Sequence, residues 1–275
     1  MNILIPIDFS ESSLNALDFA LPIASAHKAK IQLLYVFTEE EYNKRLSDDE
    51  VGSFNDYKNE KEGKLDRIAK EVAESAGFSA IEYEVLPGSF LEAVKKSIRD
   101  YKIDLIVMGS KGASNLIEKM IGTNTVKLIE HTDIPVLAIP ANAQFNSFEK
   151  VVYASDYTEE DKIAVQEFIN LMAPFKPELT VLHLSHSDSN ISKVVYEDYK
   201  EEIHKFIKYD KVTFERKTYS SNIALGIDEF MLDQKSNLLA VLREKRNLVE
   251  RVFHKSVSKQ LTYLQDFPLL VFKCE

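Results

Sequence analysis

Cysteine occurs once in the 275 residues, at Cys274. That excludes an intrachain disulfide and a cysteine-based zinc cluster, and it fits a reducing compartment. Long apolar runs are missing as well. No window approaches the ~18 consecutive apolar residues of a membrane-spanning helix. The start, MNILIPIDFSES, has no basic n-region and places Asp8 where a signal peptide would still be apolar. The expected setting is soluble and cytoplasmic. Positive charge is in deficit, 34 Lys and Arg against 44 Asp and Glu, for a net charge of -10 and a pI near 5.2. Such a surface is not built to neutralise nucleic-acid phosphates or an anionic membrane, so neither is expected as a partner. Glycine is scarce too, eight in all, yet three fall within MGSKGASNLIEKMIGTNT, residues 108–125.

The chain does contain a repetition. NILIPIDFSESSLNAL from residue 2 and EKVVYASDYTEEDKIAV from residue 149 share an apolar run, an aspartate, an aromatic, a hydroxyl and an acid. Asp8, Phe9, Ser10 and Glu11 match Asp156, Tyr157, Thr158 and Glu159 at an offset of 148 (156 − 8), which persists through IQLLYVF at 31 and LTVLHLS at 179. Later, IDLIVMG at 103 matches SNLLAVL at 236, and DIPVLAIP at 133 matches DFPLLVFK at 266, an offset of 133. The second copy is therefore 15 residues shorter (148 − 133), with the loss between its second and fourth strands. A domain-sized period means an internal duplication and not a solenoid. A hydrophobic fraction of 45% supplies a core for each copy. The expected domains are 1–143 and 147–275, joined through ANAQFNS at 141–147.

Within each copy, short apolar runs alternate with longer stretches of helical periodicity, the pattern of parallel strands buried on both faces by crossover helices. The fold class is α/β: two tandem Rossmann-like domains, each a five-stranded parallel sheet flanked by helices. In the first copy strands are expected near 2–7, 30–37, 80–86, 103–108 and 134–139. Leu65, Ile68 and Val72 share one helix face, and Ser89 with Glu92 has capping-box spacing. Pro22 predicts a kink or an early end near Leu21. EEEYNKRLSDDE, residues 39–50, reads as a solvated linker.

In an open parallel sheet, ligands sit beyond the carboxyl ends of the strands. IDLIVMG runs straight into Gly109, and Gly122-Thr123 immediately precedes the helical stretch TVKLIEH. Glycines at the strand exit would let a ligand approach the backbone. Gly122, Thr123, Asn124 and Thr125 would present free N–H groups at a helix N-terminus, where phosphate is favoured. No Walker A sequence occurs.

The first strand ending in Asp and a hydroxyl, the Val-ended second strand, D-L-I-V-M-G-S-x-G, nine residues, G-T, and a last strand P-V-L-x-I together resemble the universal stress protein family. The G-x2-G-x9-G-[ST] spacing resembles its ATP-binding branch, over nearly all of residues 1–140. The resemblance implies an adenine-nucleotide alpha hydrolase-like fold and a site residue by residue. Pro6, Ile7 and Asp8 would border the nucleotide, Asp8 accepting from ribose hydroxyls. Val36 would contact adenine through backbone groups. Met108 and Gly109 would lie beside adenine and ribose, and Lys111 and Gly112 along the phosphates. Gly122, Thr123, Asn124 and Thr125 would hold the phosphates, with Mg²⁺ bound mostly through phosphates and water. Taken alone, Asp8 reads as a helix cap with Ser10, Lys111 as a solvated loop lysine and Met108 as core; the glycine motif favours the site.

The second copy lacks the motif. Gly109, Gly112, Gly122 and Thr123 become Leu242, Lys245, Lys255 and Ser256, whose side chains occupy the space of ribose and phosphates. Its expected role is to pair with the first copy as an intrachain pseudo-dimer through the two apolar final strands, and association of two chains as a homodimer is left open. Asp156, His183 and His186 at strand ends, with Arg243, Lys245 and Arg246 in place of the glycine loop, could converge on a metal or an anion; structural or exposed histidines are the plainer reading. The expected function is ATP binding in the first domain as a regulatory signal to an unidentified protein partner, not an enzyme. The alternatives are slow ATP hydrolysis, for which no positioned base or arginine finger is legible, and a nucleotide-free dimeric scaffold.

Overall fold

The computed structural model describes residues 1–47, 53–78, 81–110, 122–185, 190–219, 223–243 and 267–273, and these divide into two compact units between Ala141 and Asn142. In the first unit, β1 (Asn2–Pro6), β2 (Lys30–Phe37), β3 (Ile81–Pro87), β4 (Leu105–Gly109) and β5 (Val136–Ile139) form parallel pairs in the order β3-β2-β1-β4-β5. Ile3, Leu4, Ile5, Ile106 and Val107 are fully buried, because helices cover the sheet and the central strands have no solvent face. The strand order reverses between β1 and β4, so their carboxyl ends open on a crevice.

The helices of this unit are α1 (Glu11–His27), α2 (Glu39–Ser47), α3 (Phe54–Ala76), α4 (Phe90–Tyr101) and α5 (Thr123–His131). Two of them correct the sequence reading. Pro22 does not end α1, which continues to His27 and stops with Lys28 in the left-handed region at φ 50°. Ile23 and Ala24, beyond the proline, are fully buried along with Ala16 and Ala20 before it. That packing offsets the roughly 3 kcal/mol that an interior proline costs. The second correction is the charged run after β2. Residues 39–47 form a helix, because Thr38 Oγ1 accepts the Glu41 N–H at 3.1 Å, acids fill the first turn, and Lys44 and Arg45 fill the last. Tyr42 packs it onto the rings of Phe54 and Tyr57. In α3 the fully covered stripe is Tyr57, Lys61, Leu65 and Ala69, with Ile68 and Val72 half-buried. Ser89 caps α4 by accepting the Glu92 N–H.

The second unit repeats the topology. β6 (Lys150–Ala154), β7 (Glu178–Ser185), β8 (Val212–Thr218), β9 (Leu238–Arg243) and β10 (Leu269–Lys273) form parallel pairs in the order β10-β9-β6-β7-β8, with α6 (Glu159–Met172), α7 (Asn190–Phe206) and α8 (Ile223–Gln234). The offset between equivalent strands is 148 at β1 and β6 (150 − 2), still 148 at β2 and β7 (178 − 30), and 131 at β3 and β8 (212 − 81). The whole deletion thus falls between the second and third strands, where the first unit has α2 and α3 and the second has α7 alone among the described residues. No described helix is long and apolar enough to cross a membrane.

Candidate functional site

Above the carboxyl ends of β1, β2, β3 and β4 lies a cavity of about 700 Å³, within the ~300–1,000 Å³ typical of small-molecule sites. It gathers ten of the twelve nucleotide-site residues expected from sequence: Pro6, Ile7 and Asp8 at the exit of β1, Val36 in β2, Met108 and Gly109 in β4, and Gly122, Thr123, Asn124 and Thr125 at the start of α5. Lys111 and Gly112 lie outside the described residues.

Gly109 and Gly122 each have a structural partner that the sequence does not reveal. A Cβ at Gly109 would stand 2.2 Å from Ser12 Oγ, 2.7 Å from the Ser12 carbonyl carbon and 2.8 Å from its oxygen. Its missing side chain lets α1 lie against β4. Gly122 has an ordinary φ of −63° as the residue before α5. Its N–H is not free for a phosphate, because it donates to Ser110 O at 2.6 Å. The Thr125 hydroxyl is likewise spent, donating to Gly109 O at 3.2 Å from a buried position. The anion-binding capacity of this end therefore rests on the first-turn N–H groups of α5, which have no intrahelical acceptor, and on the exposed side chains of Thr123 and Asn124.

At the exit of β1, Asp8 supports the helix cap and also lines the cavity. Its Oδ1 accepts the Ser10 N–H at 3.0 Å and the Ser10 hydroxyl, Ser10 Oγ caps α1 by accepting the Ser13 N–H at 3.2 Å, and Asp8 still lines the cavity. The turn is made by Phe9 at φ 63°, whose ring stacks on Tyr35 at 5.1 Å.

Sequence reasoning missed the far wall. Thr38 and Glu41 from the α2 segment, and Gly88, Ser89 and Phe90 between β3 and α4, also line the cavity. Glu41 Oε1 accepts the Tyr35 hydroxyl at 2.7 Å and the Tyr57 hydroxyl at 2.6 Å. Burial, reinforced by the Glu41 hydrogen bond, pushes the Tyr57 hydroxyl up to about 12, and burial also raises Tyr35, so both remain donors. The signal that could have found this wall is Thr38-x-x-Glu41, the same capping spacing that marked Ser89 and Glu92.

At the equivalent end of the second unit a buried polar network surrounds Asp161. Asp161, 2% exposed, accepts from the Tyr153 hydroxyl at 2.7 Å, the Ser155 hydroxyl at 2.8 Å, Asp156 N–H at 3.0 Å and Thr158 N–H at 3.1 Å. Tyr199 Oη lies 2.9 Å from Ser155 Oγ, and its ring is 4.6 Å from that of Tyr157. His183, a candidate ligand from sequence, places Nδ1 2.8 Å from Ser155 O and stacks on Tyr157 at 3.8 Å. Burial lowers its pKa, keeping the ring neutral. Asp156 gives its N–H to Asp161, while His186, Lys245 and Arg246 lie outside the described residues. No group of three or more His, Cys, Asp or Glu suited to a metal occurs among the described residues. His183 thus has Nδ1 and a ring face engaged within the unit.

Residues 1–140 match the model of the universal stress protein family. A curated relative, a universal stress protein of Methanocaldococcus jannaschii, is 32% identical over 152 residues, 50% of this chain and 93% of its own. Among solved structures, a universal stress protein from Archaeoglobus fulgidus superposes with a TM-score of 0.69 at 20% identity, covering 99% of this chain and 98% of the other. A second, from Pseudomonas aeruginosa, gives 0.65 at 15% identity and covers 99% and 92%. Both share the fold over both units.

Proposed function

The chain belongs to the universal stress protein family, and on that premise we propose that its first unit binds an adenine nucleotide, ATP with Mg²⁺, as a cytoplasmic regulatory signal to a partner protein. The observation that carries the reading is the convergence of Pro6, Ile7, Asp8, Val36, Met108, Gly109 and the first turn of α5 on one cavity. The fit is chemical as well as spatial. Ile7, Val36 and Met108 offer an apolar wall to a base, Asp8 a carboxylate to ribose hydroxyls, and α5 the positive end of a helix dipole to phosphates. Mg²⁺ would be held by phosphate oxygens and water, supplying charge neutralisation.

Binding is favoured over turnover. The described lining contains two carboxylates, Asp8 and Glu41, each already accepting two hydrogen bonds, and no histidine. Both carboxylates are held by neighbouring donors, and in the proposed site they serve the ribose and the base, not an attacking water. The second unit, whose sequence has Leu242, Lys245 and Lys255 where the first has the motif glycines, is given no nucleotide. Titration calorimetry with ATP and Mg²⁺ is therefore expected to give one site per chain, with a stabilisation of roughly 2.7 kcal/mol at a hundredfold excess over Kd. Two equivalent sites, or none, would overturn the reading.

A further inference from the structure

The cavity's far wall bears a carboxylate that the glycine motif does not account for. Glu41 sits on α2, the helix without counterpart among the described residues of the second unit. Two hydroxyls, from Tyr35 and Tyr57, converge on a single oxygen, Oε1, at 2.7 and 2.6 Å. Both tyrosines are themselves fixed: Tyr57 is fully buried, and Tyr35 is 5% exposed and stacked on Phe9. A surface glutamate ordinarily keeps most of its rotamer freedom, and holding one in place costs entropy. Here the orientation is imposed by neighbours, while the side chain remains exposed to the cavity. The second oxygen, Oε2, takes no part in the two tyrosine hydrogen bonds.

Where Glu41 stands decides what it could accept from. The sheet order β3-β2-β1-β4-β5 puts the α5 N-terminus at the β4 side and Glu41, with Thr38 and Gly88, at the β2 and β3 side. If the phosphates lie on α5, the opposite end of the ligand is the base. We infer that Glu41 is the specificity-determining residue of this site, its Oε2 accepting a hydrogen bond from the exocyclic amine on the six-position of the purine. An ionised carboxylate only accepts. Adenine offers an amine there, whereas guanine and hypoxanthine offer a carbonyl oxygen that the carboxylate repels. With Oε1 already saturated by two tyrosines, the bidentate pairing that a free carboxylate makes with the guanine N1–H and N2 amine is not available. The inference rests on the proposed nucleotide site and adds to it the reason for preferring adenine.

The test compares ATP with inosine triphosphate, in which the six-position amine is replaced by a carbonyl and N1 carries a proton, by titration calorimetry of the full chain. The wild type is expected to prefer ATP. Glu41→Gln should narrow the ratio of the two Kd values by about tenfold or more, because a hydrogen bond to a charged group is lost and the amide can turn a donor toward the carbonyl of the inosine base. Tyr57→Phe, which removes one of the two hydroxyls that orient Glu41 without touching the cavity lining, should narrow it in the same direction by less. Both variants are read below the unfolding temperature found by circular dichroism. A ratio unchanged in Glu41→Gln, with ATP still bound, overturns this inference and leaves the nucleotide site standing. Absence of ATP binding by the wild type overturns the site itself, and this inference with it.

Discussion

Gly109 stands in the glycine motif, yet its geometry assigns it to the apo fold. A Cβ at this position would overlap the Ser12 hydroxyl at 2.2 Å and the Ser12 carbonyl carbon and oxygen at 2.7 and 2.8 Å. The hydroxyl could rotate away. The backbone of a helix could not, so α1 would have to lift off β4, along a contact that also seats Ala16 and Ala20 at zero exposure. Overpacking of this kind costs roughly 1–3 kcal/mol. At about 2–4 °C per kcal/mol for a unit of this size, Gly109→Ala is expected to lower the apo unfolding temperature by about 2–12 °C. The assay is thermal unfolding followed by circular dichroism, without nucleotide. Adding Ser12→Ala should recover only the smaller part, because the clash with carbonyl carbon and oxygen persists. An apo melting curve identical to wild type, coupled with lost nucleotide affinity, would refute the argument and return Gly109 to the role of making room for a ligand.

Two further perturbations test the packing around each site. Asp161→Ala would strand the hydroxyls of Tyr153 and Ser155 and the N–H groups of Asp156 and Thr158; a loss of about 3 kcal/mol or more is expected in urea unfolding, and a loss under about 1 kcal/mol would mean that water replaces the carboxylate. Lys61, 5% exposed against the rings of Tyr57, Tyr35 and Phe9, is held below its ordinary 10.5 chiefly by burial. Between its folded value and 10.5 the unfolded chain binds more protons, so this site's contribution rises with pH there, and below that window the full penalty of the buried charge remains. Lys61→Met should therefore stabilise at pH 7, by an amount that shrinks as pH approaches 10.5. Equal urea midpoints for the two proteins at pH 7 would count against it.

The strands were legible because both faces of each sheet are covered: runs such as NILIPI and IDLIVMG need no alternation to be recognised, and their positions match within two residues. The glycine motif located the cavity without revealing the structural partner of Gly109. Spacing along a chain reports that a side chain is forbidden, but not which neighbour forbids it, and at Gly109 the neighbour is Ser12, far away in sequence. The charged segment 39–47 was illegible for a different reason. Its burial comes from aromatic groups on another helix, Phe54 and Tyr57 on α3, and no periodicity within the segment records that. Glu41 was therefore hidden in what looked like a solvated run.

The two copies also show why the second site cannot be read as a simple loss of glycines. At the offset of 148, Ile5, Ile7, Ser13 and Tyr35 correspond to Tyr153, Ser155, Asp161 and His183. The backbone around them is kept: Phe9 and Tyr157 turn at φ 63° and 64°. One hydrogen bond is kept too, from Asp8 N–H to Ser13 Oγ in the first unit and from Asp156 N–H to Asp161 Oδ2 in the second. What changes is that a short hydroxyl becomes a buried carboxylate, which is tolerable only if donors surround it. Tyr153 and Ser155 supply them from positions that are plain isoleucine in the first unit. The replacements are therefore interdependent, and each would destabilise the unit without the others. In the sequence, Asp161 closes the acidic run Glu159-Glu160-Asp161 and looks like one more solvated helix-start residue. One of its partners, Tyr153, lies on β6 at a buried position that the parallel-sheet pattern marks only as apolar, and the others follow directly after the strand. A polar network folded into an apolar strand pattern is thus what separates this end of the second unit from the isoleucine-bearing end of the first.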